Sequence, residues 1–324
     1  MTTNMHNRGR VRRLAALSEG LKVCSLVWAS GVRAYPATTG FDRRRRLRFI
    51  CRTIIYWKPT IAWLRVCSSP ESASLIRRFP RTIERVHRPF VHVGLSSEER
   101  LRVSVEHSRF ADTLLRKIAL ELAANAKFRV AEFSVNNERW YVVLELLDRF
   151  GKEGDWTLSI RDSRGSRLVS CTFSIAHLAG KVYRPRLLIG GVQGPARSVA
   201  GKHVFRALTR KWFGLRPKNL VVYLAQSLAR AIGAHDVLMV SNRSHVYSSW
   251  RYRKMKMKRI AADYCALSRE CGASKSWNGW HLLGVSRNVV SKNRERAGTG
   301  ETRRDRRELL KHSLDLQIRC AVRR

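Results

Sequence analysis

The sequence predicts an α/β (α+β) protein with a mixed, largely antiparallel sheet and crossover helices. Three features carry this expectation. Apolar residues alternate with period two from Trp140 to Ile175. A strand–turn–helix–strand pattern runs from Arg186 to Val240, and a long helical period begins at Ser96.

Taken in order, residues 1–40 are Arg-rich and read as a flexible basic segment with a weak helical patch from Leu14 to Trp28. Arg43 to Arg46 open an amphipathic helix with Phe49, Ile54, Tyr56, Ile61 and Trp63 at apolar positions, interrupted near Pro59. It reads either as a peripheral membrane helix or as a packed helix with a solvated basic face. The second is favoured, because a wider domain follows directly. Ser96 and Glu99 form a capping box ahead of Leu101, Val105, Phe110, Leu114, Leu115, Ile118 and Leu122.

After Lys127 the period changes to two. Trp140 to Leu147, Trp156 to Arg161 and Val169 to Ile175 read as strands, with a hairpin turn at Asp162 to Ser166. Leu187 to Ile189, stopped by Gly190 and Gly191, is a buried strand. Val199 to Phe213 is a helix ended by Gly214. Pro217 suits the first turn of a second helix, whose apolar face runs from Leu220 to Ile232. Val237 to Val240 is the strand that closes the crossover. Beyond Asp263 the expectation is a helix, a turn and one short strand ending at Leu282. Residues 286–324, charged and without aromatics, read as a mobile or weakly helical tail. The predicted domain therefore spans 41–285.

The chain has 324 residues, 44% of them hydrophobic, which is enough for a substantial core. Its 64 Lys and Arg against 24 Asp and Glu give a formal charge of +40. Such a chain repels itself unless its partners are anionic: membrane lipid, lipopolysaccharide phosphate or nucleic acid. Seven scattered cysteines without a C-x-x-C pair argue against a zinc site or disulfide framework and for a reducing compartment. No apolar run approaches the ~18 residues of a membrane span. The expected location is the cytoplasm, including the periphery of the inner membrane.

Arg216 and Lys218 stand at a helix amino end, where oriented N–H groups and the dipole favour an anion such as a pyrophosphate. With Gly214, and with Gly190, Gly191 and Gln193 at the end of the preceding strand, they are the cofactor-binding candidates. The bland alternative is a basic surface turn, since the phosphate-loop glycine fingerprint is missing. His245 is the candidate general base, Tyr247 or Tyr252 the proton donor to a leaving thiolate, and Asn242 with Ser241 the orienting groups. An isolated strand-end His is more often bonded to backbone, and the tyrosines more often pack half-buried. Trp250 to Arg259 interleaves aromatics with Arg251, Arg253, Lys254, Lys256 and Lys258, a ribbon able to grip phosphates or to serve as a solvated sheet edge. His87 and His92 flank Pro89 without a nearby acid or thiol, so no metal site is expected.

The segments RVHRPFVHVGLSSEERL, LLIGGVQGP, LTRKWFGLRPKNLVVYLAQSLARAIG, VSNRSHVYSSWRYRKMKMKRIAADY and NGWHLL, in this order, resemble the VirK/YbjX family of bacterial proteins, also known as DUF535. The resemblance covers roughly residues 41–285. It implies a bacterial, envelope-related role: antimicrobial-peptide resistance and correct display of a surface protein. It implies no established reaction. The chain departs from the family pattern at Cys265, Leu267, Ser268, Cys271, Gly272 and Ala273, and again at Asn278 and Trp280-His281. The meander followed by strand, helix and strand is also the order of the GNAT acyltransferase fold. That fold-level analogy implies acyl-CoA as donor, held at Gly214 to Lys218. Non-specific nucleic-acid binding is the third reading; no helix-turn-helix, RRM or zinc-finger pattern supports sequence-specific reading.

Overall fold

A computed structural model of the chain describes residues 3–69, 72–178, 184–195, 200–252, 263–285 and 302–323. It divides into two compact units, 1–88 and 89–324, where the sequence reading draws a single domain over 41–285.

The first unit is helical: α1 (Thr3–Ala34), α2 (Gly40–Ile55), α3 (Trp57–Cys67), α4 (Ala73–Arg78) and a 3-10 helix, Pro80–His87. The segment expected to be irregular is thus a helix. It buries Val23 and Val27 at i, i+4 spacing, too narrow a stripe to stand out against the arginines. It ends at Ala34 because Pro36 disfavours helical geometry in the residue before it. The break between α2 and α3 falls at Tyr56, so that Pro59 sits in the first turn of α3, where its missing N–H is harmless. The core gathers Tyr35, Phe49, Trp63 and Leu64. Trp63 Nε1 donates to Thr82 O (3.0 Å), and the Arg46 guanidinium donates to Tyr35 O (2.9 and 2.6 Å). Buried Glu84 collects Arg45 and Arg52, each at 3.8 Å, and Arg88. Burial, reinforced by Glu84, pushes the Tyr35 phenol up to about 12.

The second unit begins with α5 (Ser97–Leu114) and α6 (Arg116–Asn125). Both halves of the Ser96–Glu99 capping box form, and the helical period through Leu122 is broken at Leu115 (φ −137°, ψ 32°). Eight strands follow: β1 (Lys127–Val135), β2 (Glu138–Glu145), β3 (Trp156–Asp162), β4 (Arg167–Ala176), β5 (Arg186–Gln193), β6 (Val237–Val240), β7 (Ala273–Trp277) and β8 (Trp280–Leu283). Between β5 and β6 lie α7 (Ala200–Lys211) and α8 (Pro217–Ala231). Beyond β6 come α9 (Tyr264–Glu270) and, last, α10 (Arg303–Arg323). The sheet order is β1-β2-β3-β4-β5-β6-β8-β7. All the pairings are antiparallel except β5–β6, which is parallel. The mixed α/β sheet is therefore present, with a closing hairpin where one strand was expected. β7 carries exposed Ser and Lys residues rather than apolar alternation, so its sequence gives no strand period.

The middle of the sheet is covered on both faces, since consecutive residues of β3, β4 and β6 are all buried or nearly so. Helices α5 and α8 pack on β4, and α10 packs on α8 and β1. Residues 303–323 of the segment read as a tail are therefore part of the core. Leu314 and Ile318, one turn apart, are fully enclosed, and Asp315 is buried against Arg230. Among the described residues no helix is long and apolar enough to cross a membrane, and all seven cysteines are free.

Candidate functional site

The site is built where the parallel pair parts. β5 and β6 are in register from Leu187↔Val237 to Ile189↔Met239. β5 then continues to Gln193, held only by β4. At the carboxyl ends of parallel strands such a parting leaves a crevice, the usual place for a ligand in an open α/β sheet.

α8 crosses from one strand to the other, and its amino end is placed by packing. The indole of Trp212, just after α7, is fully buried, edge-on to Phe133 (5.4 Å) and Trp140 (5.6 Å). Phe213 (φ 53°) and Gly214 (φ 87°) then turn the chain through left-handed conformations, the second of which glycine takes without strain. Arg216 is the N-cap, without a side-chain cap bond, and Pro217 is N1. The Lys218 and Asn219 N–H groups consequently lack intrahelical acceptors.

This tip lines a cleft of about 930 Å³ whose other walls are α7 and α9. Arg206, Arg210, Arg216 and Lys218 supply cations, while Asp263 and Glu270 supply carboxylates. Arg216 Nη1 donates to Glu270 Oε1 (2.6 Å), and Asn219 Nδ2 to Glu270 Oε2 (3.0 Å). Burial pushes the Lys218 ammonium below its ordinary range, and no carboxylate among the described residues pairs with it. Asp263 N-caps α9 through Ala266 N (3.0 Å) and accepts from Asn242 Nδ2 (2.9 Å). Those hydrogen bonds, Asn242 first, hold its carboxyl below the usual value.

A second cluster fills the parting of the strands. Its centre is Glu153, fully buried, a residue the sequence reading passed over. Gly190 and Gly191 make the room: a Cβ at Gly190 would lie 2.0 Å from Glu153 O, and one at Gly191 would lie 2.1 Å from Glu153 Oε2. Gln193 Nε2 donates to Glu153 Oε1 (2.9 Å). Tyr264 closes the gap, its hydroxyl accepting from Val192 N (3.1 Å) and its ring stacking on His245 (5.0 Å, 24°).

His245 is completely enclosed. Its Nδ1 accepts from Tyr247 N (3.3 Å), which puts the ring proton on Nε2, 3.6 Å from Glu153 Oε1. Burial lowers its pKa to about 4, so the ring is neutral at neutral pH. The ring of Tyr247 lies 5.3 Å from His245 and 5.8 Å from Tyr252, and the Lys152 ammonium sits over Tyr252 at 4.2 Å. Burial raises the Tyr247 phenol, with Glu153 adding to it.

The structure thus brings together His245, Tyr247, Gly190, Gly191 and Gln193 around Glu153, with Tyr252 beside Tyr247. It sets Arg216 and Lys218 apart in the cleft, with Gly214 in the turn leading to them. Asn242 joins the two: its Oδ1 accepts from Tyr264 N (2.7 Å) while its Nδ2 donates to Asp263. His245 does not line the cleft, and its acceptor nitrogen is engaged by backbone. The only signal for Glu153 was the need of two adjacent strand glycines for an intruding neighbour. Of the basic ribbon, Trp250 is 81% exposed and Arg251 lies over its ring at 5.8 Å; Arg253, Lys254, Lys256 and Lys258 lie outside the described residues. His87 is bonded to Thr60 Oγ1 (2.9 Å) and His92 stacks on Trp280 (4.7 Å). Among the described residues no group of three His, Cys, Asp or Glu is placed to hold a metal.

Fold and site together define an α/β protein with one parallel strand pair, a crossover helix opening on a basic cleft, and a buried Glu–His–Tyr cluster behind it. Residues 39–292 match the family described as "Protein of unknown function (DUF535)". The chain is also 30% identical over 260 residues to the "Uncharacterized protein YbjX" of Escherichia coli strain K12, covering 79% of this chain and 77% of that protein. The chain belongs to the VirK/YbjX (DUF535) family. No solved structure matches it.

Proposed function

We propose that this protein is an envelope-associated stress or virulence factor whose molecular act is acyl transfer from a phosphate-bearing thioester donor, acyl-CoA being the model compound. One observation carries the reading: the crossover helix between the two parallel strands turns its amino end, with Arg216 and Lys218, into an open cleft. Free N–H groups, the positive dipole end and two cations on a cleft wall suit a diphosphate. The envelope association follows the family resemblance and the +40 charge.

In this reading a substrate amine or hydroxyl attacks the thioester carbonyl. The C–N or C–O bond forms, the C–S bond breaks, the departing sulfur takes a proton from a tyrosine phenol, and the proton released by the amine or hydroxyl returns to that phenolate. Tyr247, whose phenol stays protonated, and Tyr252 are the proton donors. His245 acts as a positioning residue: it caps the turn that carries Tyr247. Glu270 stands in for the ligand's anion, and a diphosphate must displace it from Arg216. The test is calorimetric titration of coenzyme A into the full chain, repeated with Arg216→Ala combined with Lys218→Ala.

A second reading is electrostatic binding of nucleic acid by exposed Trp250 with half-buried Arg251 beside it. It predicts retention on single-stranded nucleic acid that falls steeply with salt.

A further inference from the structure

We infer that α2 of the N-terminal unit is an in-plane docking surface for a bilayer of anionic phospholipid. The helix buries only Phe49 and Thr53. Away from them, Leu47, Cys51, Ile54 and Ile55 recur at i, i+4, i+7 and i+8, an apolar stripe turned outward. Leu47, Ile54 and Ile55 are 62%, 70% and 72% exposed, the reverse of what a helix packed through its apolar face displays. Exposed Trp57 continues the stripe at the start of α3. α1, which packs on α2, carries a second outward stripe of Leu21, Cys24, Trp28 and Val32, with Arg46 of α2 lying 5.7 Å from the Trp28 ring.

Cations flank the stripe. Arg43, Arg44, Arg48 and Lys58 are exposed, and no acid among the described residues pairs with them. Residues 1–88 hold nineteen Lys and Arg against four Asp and Glu, one of which, Glu84, is buried. Apolar and aromatic side chains bordered by arginine match the boundary between anionic headgroups and acyl chains. A second copy of the chain is disfavoured, because the two faces would repel. A nucleic acid would use the arginines and leave Leu47 and Ile54 without a role. Among the described residues no helix is long and apolar enough to span, so the contact lies in the plane of the surface. The inference deepens the envelope association proposed above and is independent of acyl transfer, since it uses no residue of the cleft.

The experiment is co-sedimentation of the full chain with vesicles containing phosphatidylglycerol, and with vesicles of phosphatidylcholine alone. Retention is expected on the first and not on the second. Leu47→Asp with Ile54→Asp should weaken it ten-fold or more, as should Arg44→Glu with Arg48→Glu. Arg216→Ala with Lys218→Ala should leave it unchanged. Leu47→Ser with Ile54→Ser, a milder pair at the same exposed positions, should weaken retention in the same direction even if the Asp pair disturbs folding. Absence of retention by the parent overturns the inference. So does full retention by both the Asp and Ser pairs, including the case where only the Glu pair loses it, which would mark a purely electrostatic, nucleic-acid-like contact.

Discussion

Arg216 Nη1 donates to Glu270 Oε1 at 2.6 Å, so the amino end of α8 already carries a carboxylate where the proposed donor would bring a phosphate. The two residues are fifty-four positions apart and come from different helices. Both are well exposed, so the pair contributes at most about 1 kcal/mol to stability.

Glu270→Gln removes the competing charge and keeps the amide bonds available to Arg216. The affinity for coenzyme A is expected to rise about five-fold, the equivalent of about 1 kcal/mol, with the thermal midpoint nearly unchanged. Calorimetry with the variant checks this; an unchanged or weaker affinity contradicts it.

Gly191→Ala drives a methyl into the Glu153 carboxylate, and Gly190→Ala drives one into the Glu153 backbone. Each is expected to cost about 1–3 kcal/mol, and Gly190 the more, because backbone yields less than a side-chain end. Gly284→Ala, with open space around it, should be near neutral. Urea unfolding of the three variants gives the comparison.

His245 is held neutral by burial, its pKa falling from the ordinary ~6.5 to about 4. Between those values the unfolded chain binds the proton and the folded chain does not. The contribution to stability is therefore full above about pH 6.5 and is lost as pH falls toward 4. The sign is stability rising with pH, by at most about 3 kcal/mol across the window. His245→Asn keeps an acceptor for Tyr247 N and removes the titration. Its unfolding midpoint should depend less on pH than the parent's between pH 7 and 4.5, and identical slopes would refute the assignment.

Ile318→Ala in the last helix should cost about 2–5 kcal/mol, as for a core residue. Arg230→Ala, which leaves Asp315 buried without that partner, should cost about 3 kcal/mol. A dispensable tail would show neither loss in chemical denaturation.

The parts of this fold governed by local chemistry were legible. LLIGG reads as a buried strand because apolar residues end on glycines, and Pro217 opens α8 by its backbone preference. The Ser96–Glu99 box marked the start of α5 in the same way. What escaped depends on partners distant in sequence. α10 is helical because its apolar side packs on α8 and β1: Leu314 and Ile318 are its buried anchors, with Leu310, Ala321 and Val322 partly buried beside them, a stripe hard to see among the charges. β7 is a strand because β8 pairs with it. At the site, His245, Tyr247, Asn242 and the Arg216–Lys218 turn could be picked out by residue type, but which of them meet could not. Their separation into a cleft and a cluster follows the packing around Glu153 and Tyr264, two residues whose meeting no local pattern signals.

The central claim is that the tip of α8 binds a phosphate-bearing donor. Isothermal titration of coenzyme A into the full chain, with Arg216→Ala and Lys218→Ala combined as the comparison, addresses it most directly. Salt-sensitive binding by the parent is expected, with an affinity at least ten-fold lower in the double variant. No heat of binding in the parent, or equal affinity in the two proteins, would contradict it.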